Sequence, residues 1–343
     1  MNGKTEDATP NDATTNGVRL SAEWTPIRFY WQAERAFVDW CHTGGVRFTA
    51  PFFDHTIEQR LRLPFNALCR PQTPVEAVAE ATDRTRGLAP AGFIFHLSRC
   101  GSTVISQMLA ALPQHIVVAE PSVLDGVLRA HFNRPQVTDD ERAAWLRALV
   151  GALGRPRSEA EQRYFVKFDG WHALCLPLVR RVFPEVPCVF VYREPVEVMA
   201  SQLRSPARWV TPGFLPAQLL GLNLYKSYTL APADYCARVL ALLCQAALAE
   251  TDARTFRLVN HRQLPAVVND ELLDFFGVAV TDGERAAMHA TTQFHAKEPA
   301  RPYADDSEAK RRAASDDAQQ AAARWVKPLY EQLEARRLGG QTL

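Results

Sequence analysis

The sequence predicts an α/β protein: a three-layer α/β/α domain around a central parallel sheet of about five strands, preceded by an N-terminal accessory region. Three observations carry this. From residue 91 onward, short apolar runs alternate with stretches of helical length, a pattern that lays helices across a parallel sheet. The run at 93–97 empties through a tight polar turn, Ser98-Arg99-Cys100-Gly101-Ser102-Thr103, straight into a helix. The 343 residues are 47% hydrophobic and 22% charged, an ordinary globular composition with room for one large domain and an appendage.

Taken in order, residues 1–17 are polar and rich in Thr, Asn and Asp, so they are expected to be a disordered tail, and they lack the apolar core of a secretory leader. Residues 18–90 read as an accessory layer packed on the core. Trp31, Phe52 and Phe53 are expected in that core, His55 as a structural histidine, and a helix over 74–86 after Thr73-Pro74. Residues 91–343 form the main domain. Its strands are predicted at 92–97, 116–119, 163–168, 187–192 and 255–260, and its helices near 102–112, 122–132, 139–153, 171–182, 195–203 and 234–250. The proline-broken segment 204–232 reads either as a lid or acceptor wall or as a plain surface insertion. A final helix over 317–337 is expected to pack through Trp325, Leu329 and Leu333.

The formal net charge is +1, which argues against a general nucleic-acid or membrane binder. Seven scattered cysteines without a C-x-x-C pair read as reduced thiols, and no run approaches the roughly 20 apolar residues that cross a bilayer. A cytoplasmic protein is the expectation. Nothing in the sequence suggests an oligomeric state.

The turn at 98–103 has the makings of an anion site. Unpaired amides at a helix N-terminus converge there, the helix dipole adds partial positive charge, and small residues let a phosphate approach. It departs from the nucleotide loop G-x-x-x-x-G-K-[ST]: Ser102 stands where that lysine belongs, and the positive residue, Arg99, precedes the glycine. A second apolar run, 186–192, ends in Arg193 rather than in the aspartate that commonly holds magnesium. Two separate phosphate-binding elements therefore suggest a ligand phosphorylated at two places, with no metal.

On these residues the chain resembles the sulfotransferases that use 3′-phosphoadenosine-5′-phosphosulfate (PAPS), most nearly the tyrosylprotein sulfotransferase branch and its bacterial relatives. The turn is similar to the family's 5′-phosphosulfate loop, with Cys100 in place of a serine. The stretch from Tyr192 through Arg193 to Ser201 is similar to its 3′-phosphate element, with Arg193 and Ser201 eight apart. Glu120, nineteen residues after Gly101, and Lys167, twenty-six before Arg193, stand where that branch carries its catalytic glutamate and lysine.

The resemblance implies a P-loop-like fold and a sulfuryl transfer from PAPS, as co-substrate, to a hydroxyl or amine. The acceptor could be a small molecule, a carbohydrate or a peptide. Glu120 would be the general base, and Arg99 and Lys167 would stabilise charge. Ser98, Arg99, Cys100, Gly101, Ser102 and Thr103 would hold the 5′-phosphate, Arg193 and Ser201 the 3′-phosphate. His261, standing where the branch has a tyrosine, would lie on the adenosine side, and Lys297 and Lys310 would come from a late closing loop. Two alternatives stay open: a nucleotide kinase or NTPase with a degenerate loop, and a binding protein that keeps the fold without turnover.

Overall fold

The computed structural model describes residues 20–82, 87–302 and 304–339. The expected tail at 1–17 and the end of the expected helix over 74–86 lie outside these. The accessory region is an antiparallel three-stranded sheet, β1 (Trp24–Gln32), β2 (Arg35–His42) and β3 (Gln72–Pro74), followed by a short 3₁₀ turn and the helix Val78–Thr82. β1 and β2 are joined by the two-residue turn Ala33-Glu34, with Ala33 at φ 49°. Trp40 is fully buried and donates its indole N–H to Thr73 Oγ1 at 3.0 Å, which ties β2 to β3.

The main domain is built on a five-stranded, all-parallel sheet: β4 (Pro90–His96), β5 (His115–Ala119), β6 (Arg163–Lys167), β7 (Cys188–Tyr192) and β8 (Phe256–Asn260), in the spatial order β5-β6-β4-β7-β8. The strand count and parallel sense match the expectation. Side-chain alternation shows why the sheet is sandwiched. Phe93 and Phe95 of β4, Tyr164 and Val166 of β6, and Phe190 and Tyr192 of β7 enter one buried cluster, together with the accessory sheet and most helices. Ile94, Phe165, Val189 and Val191 enter a second, on the opposite face, under the helices Ser102–Ala110 and Asp282–Ala290. Both faces are covered, so the strands are apolar runs without the polar positions of a one-sided sheet.

The predicted helix at 171–182 begins as a 3₁₀ turn, Gly170–Cys175, capped by Asp169, before becoming α-helical at Leu176–Val182. The last helix runs through a π turn at Ala322–Val326. It seats Leu333 in the core, with Trp325 and Leu329 packed at its margin. Two further short strands, β9 (Phe294–His295) and β10 (Glu298–Pro302), form a hairpin that carries Lys297 in its turn. All seven cysteines are free thiols. Among the described residues no helix is long and apolar enough to cross a membrane.

β4 lies between β6 and β7, so the chain leaves it toward one side and later returns on the other. Ligands in open α/β sheets bind in the crevice outside the carboxyl ends of the strands at such a switch point. Each of the five strands ends here in a residue with chemistry: His96 and the 98–103 turn after β4, Glu120 after β5, Lys167 and Asp169 at β6, Arg193 after β7 and His261 after β8.

Candidate active site

The turn after β4 is built from left-handed backbone: Ser98 at φ 72°, Arg99 at 52° and Gly101 at 87°. Non-glycine residues hold such angles only where their surroundings fix them, commonly at functional sites. Gly101 is the N-cap of the helix Ser102–Ala110, and no side chain caps that end. The serines of the turn are therefore not spent on capping. The Val104 amide closes onto the Gly101 carbonyl at 2.8 Å, while the Ser102 and Thr103 amides make no backbone–backbone hydrogen bond among the described residues and remain available to an anion. A Cβ on Gly101 would lie 2.7 Å from Leu264 Cδ1 and 2.8 Å from His261 Nδ1, so only glycine fits. Ser102 and Thr103 are buried, and among the described residues their hydroxyls have no hydrogen-bond partner.

Two residues of the turn point elsewhere than expected. The Cys100 thiol faces the core and donates to the Val191 carbonyl at 3.1 Å, so Cys100 offers the turn its backbone alone. The Arg99 guanidinium donates through Nη2 to the Ser205 carbonyl at 2.5 Å, across to the segment that follows the helix Pro195–Arg204. A guanidinium has five N–H donors, so this anchor leaves others for a ligand.

Glu120 and Lys167 meet. The Lys167 ammonium, 1% exposed, donates to Glu120 Oε1, and the Glu120 amide donates to the Lys167 carbonyl at 2.6 Å. Glu120 is itself left-handed, at φ 54°. Buried this deeply, an ammonium needs both its carboxylate and other favourable contacts; the ring of Phe52 supplies one, its centroid 5.3 Å from Nζ. His96 Nε2 lies 3.2 Å from the same Oε1. Burial alone would raise the Glu120 pKa; Lys167 first, and then the His96 hydrogen bond, overcome it and hold the carboxyl below the ordinary carboxylate range.

Asp169, two residues beyond Lys167, joins this group. Its carboxylate accepts from Gly170 N at 2.6 Å and Trp209 Nε1 at 3.0 Å, and burial, then Glu120, pushes it up to about 6. His96, Glu120 and Asp169 could each offer one metal-ligand atom, all within 4.8 Å of one another. The Lys167 ammonium already lies against Glu120, however, and His96 Nδ1 accepts the Ser98 amide at 3.0 Å, which puts the ring hydrogen on Nε2. That arrangement suits an ammonium better than a metal ion.

Lys297 also reaches the group, its Nζ 5.3 Å from the centroid of the same Phe52 ring. Burial, then repulsion from Lys167 and Arg99, pushes it down to about 8. Phe52 therefore lies between two site lysines rather than in the core, where Phe53 alone is fully packed; Trp31 is half-buried against Phe29 and Trp145. His55 is exposed and edge-on to Phe52, 5.2 Å between centroids.

A second cationic station follows β7. Arg193 is buried, donating through Nε to Glu197 at 2.5 Å and through Nη2 to Asp306 at 3.0 Å and Ser307 Oγ at 2.9 Å. Lys310 pairs with the other oxygen of Asp306 at 2.8 Å, and Arg311 joins the network through Glu197 at 3.3 Å. Ser201 is buried in the adjoining helix. His261 links the two stations. Its Nδ1 donates to the Cys100 carbonyl at 3.2 Å, and burial, followed by the charge of Arg193, lowers its pKa.

Segment 204–232 roots beside the site. Trp209 is buried against Gly170 and holds Asp169, whereas Leu219, Leu224, Tyr225 and Tyr228 farther along are exposed. Sequence reasoning did not single out His96, Asp169, Trp209, Phe52 or Asp306 for the site. A histidine ending an apolar strand, and an aspartate two beyond the lysine that ends a strand, were the available signals for the first two.

No family model matches this chain, and no curated protein matches it. Solved structures do. A sulfotransferase from Mycobacterium tuberculosis is similar at 17% identity over 63% of this chain and 75% of its own, with a TM-score of 0.39. A sulfotransferase from Alicyclobacillus acidocaldarius is similar at 14% identity over 73% and 96%, with a TM-score of 0.43. A mouse sulfotransferase complexed with PAP is similar at 10% identity over 78% and 91%, with a TM-score of 0.38.

Proposed function

We propose that this protein is a sulfotransferase that moves the sulfuryl group of PAPS to a hydroxyl or amine acceptor. The observation that carries this reading is the pairing of two anion stations in one crevice. His261 touches the first and lies in the field of Arg193 and Lys310 at the second. A 3′,5′-bisphosphorylated nucleoside has the two charged ends such a crevice asks for. The crowding of Lys167, Lys297 and Arg99 around a single paired carboxylate supports an anionic ligand further, because these cations repel one another.

In the proposed reaction the bond between sulfur and the bridging oxygen of the phosphosulfate breaks, and its electrons stay on the 5′-phosphate. A new S–O bond forms to the acceptor, whose proton passes to Glu120. Positioning and charge stabilisation supply most of the catalysis in transfers of this kind. The first-turn amides with Ser98, Ser102 and Thr103 would hold the 5′-phosphate, together with the backbone of Cys100 and Gly101 and the free donors of Arg99. Lys167 and Lys297 would face the sulfuryl oxygens. Arg193, Ser201 and Lys310 would hold the 3′-phosphate. Glu120 Oε1 accepts from both Lys167 and His96, which leaves Oε2 for the acceptor proton.

Thermal unfolding with adenosine 3′,5′-bisphosphate and, separately, with ATP and magnesium tests the reading. A ligand present at about 100 times its Kd stabilises by about 2.7 kcal/mol, so the bisphosphate is expected to raise Tm and ATP with magnesium to do so far less. Stabilisation by ATP with magnesium alone would replace this reading with a nucleotide kinase or NTPase.

A further inference from the structure

We infer that His96 is a positioning residue that holds the Ser98 turn and the Glu120 carboxylate in one register, each through a different nitrogen of a neutral ring. The inference rests on the transfer proposed above and deepens it.

The hydrogen bonds fix the ring. The Ser98 amide can only donate, so Nδ1, 3.0 Å away, must accept. A neutral imidazole then carries its hydrogen on Nε2, which faces Glu120 Oε1 at 3.2 Å. Both ends of this bridge are strained. Ser98 and Arg99 lie at φ 72° and 52° on one side and Glu120 at 54° on the other, without a glycine among them. Such conformations persist when neighbours over-determine them.

His96 has the place to do this. It ends the central strand β4, pairs with Val191 of β7, and is 4% exposed, so water does not compete for its nitrogens. The charged groups facing it are Glu120 from the end of β5, Lys167 and Asp169 from β6, and Lys297 from the β9–β10 turn. Burial first, and Lys167 next, push the ring's pKa down to about 4, which keeps it neutral in the physiological range. With Lys167 it pins Oε1; among the described residues Oε2 has no partner.

Two substitutions separate the two nitrogens. His96→Asn places an amide oxygen near the position of Nδ1, keeping the acceptor for Ser98 and losing the donor to Glu120. His96→Gln places an amide nitrogen near Nε2 and does the reverse. His96→Asn is expected to lower kcat by about 10–100-fold, with bisphosphate affinity within about two-fold of wild type. The acid limb that Glu120 gives below about pH 5 in wild type should also move to higher pH, because a donor that holds Glu120 low is gone. His96→Gln is expected to weaken bisphosphate binding by about ten-fold with kcat within about three-fold. Equal losses of both quantities in both variants, with an unmoved pH profile, would reduce His96 to packing and overturn the inference.

Nitrogen NMR of histidine-labelled wild type reads the bridge without any activity. The expected result is a neutral ring with its hydrogen on Nε2 at neutral pH, perturbed in Glu120→Gln. A hydrogen on Nδ1, or a charged ring, would overturn the inference even in an active enzyme. A wild type that binds no bisphosphate would end the proposed function instead, and the ring tautomer alone would then decide the bridge.

Discussion

Glu120→Gln is expected to lower the rate of sulfuryl transfer by about 10²–10⁴, the usual worth of a general base, and to leave bisphosphate binding within about two-fold of wild type. The glutamine oxygen still accepts from Lys167 and His96, so the geometry around Oε1 survives while the proton-accepting oxygen is lost. Because Lys167 holds the Glu120 carboxyl below the ordinary range, the group is ionised at every pH above that range. The sign follows. A depressed acid contributes stability that is full above its unfolded pKa and is lost as pH falls through the folded value; the folded group itself stays ionised, and able to act as a base, above that folded value. The wild-type rate should therefore show no acid limb from Glu120 between about pH 5 and 8. Steady-state rates across pH, alongside calorimetric titration of the bisphosphate, check both halves. Equal loss of binding and turnover would make Glu120 a structural or ligand-holding residue.

Arg193→Ala is expected to remove the preference for adenosine 3′,5′-bisphosphate over the 5′-monophosphate. A hydrogen bond to a charged group contributes about 1.5–3 kcal/mol, which is about 10–100-fold in affinity. Removing Arg193 also leaves the buried Glu197 carboxylate with the more exposed Arg311 as its remaining ion-pair partner, so the variant is expected to be less stable, and the selectivity ratio is the cleaner readout. Asp306 gives the opposing test. Its two oxygens occupy Arg193 and Lys310, the donors that a 3′-phosphate would use. Asp306→Asn is expected to tighten bisphosphate binding without affecting the monophosphate. Unchanged selectivity in both variants would remove the second station from the account.

The parallel sheet was legible because β4 to β8 are buried on both faces and so read as unbroken apolar runs between helices. The accessory hairpin was not. Its turn is Ala33-Glu34, without the Asn-Gly or Asp-Gly pair that marks a two-residue loop, and Ala33 adopts a positive φ that its sequence does not announce. Within the site, Glu120 and Lys167 were singled out only through the family resemblance, by their distance from Gly101 and Arg193, and the structure brings them into contact across 47 residues of chain. The orientations of Arg99 and Cys100 were not legible. Each depends on a carbonyl from a distant segment, Ser205 for the guanidinium and Val191 for the thiol. The same holds for Asp306, which reaches Arg193 from 113 residues away and bears an acid where a phosphate-binding station suggests only cations. Phe52 and Phe53 are identical in type, and only the start of the helix Phe53–Leu61 decides that one ring enters the core and the other meets the lysines.

We propose that the crevice at the carboxyl ends of the five strands transfers a sulfuryl group. Incubation of the purified protein with sulfur-labelled PAPS and a cell extract as acceptor source tests it most directly. The account predicts label on an acceptor and an equal amount of adenosine 3′,5′-bisphosphate released, both lost in Glu120→Gln. Bisphosphate formation by wild type and Glu120→Gln at the same rate, or none by wild type while it still binds the bisphosphate, would contradict it.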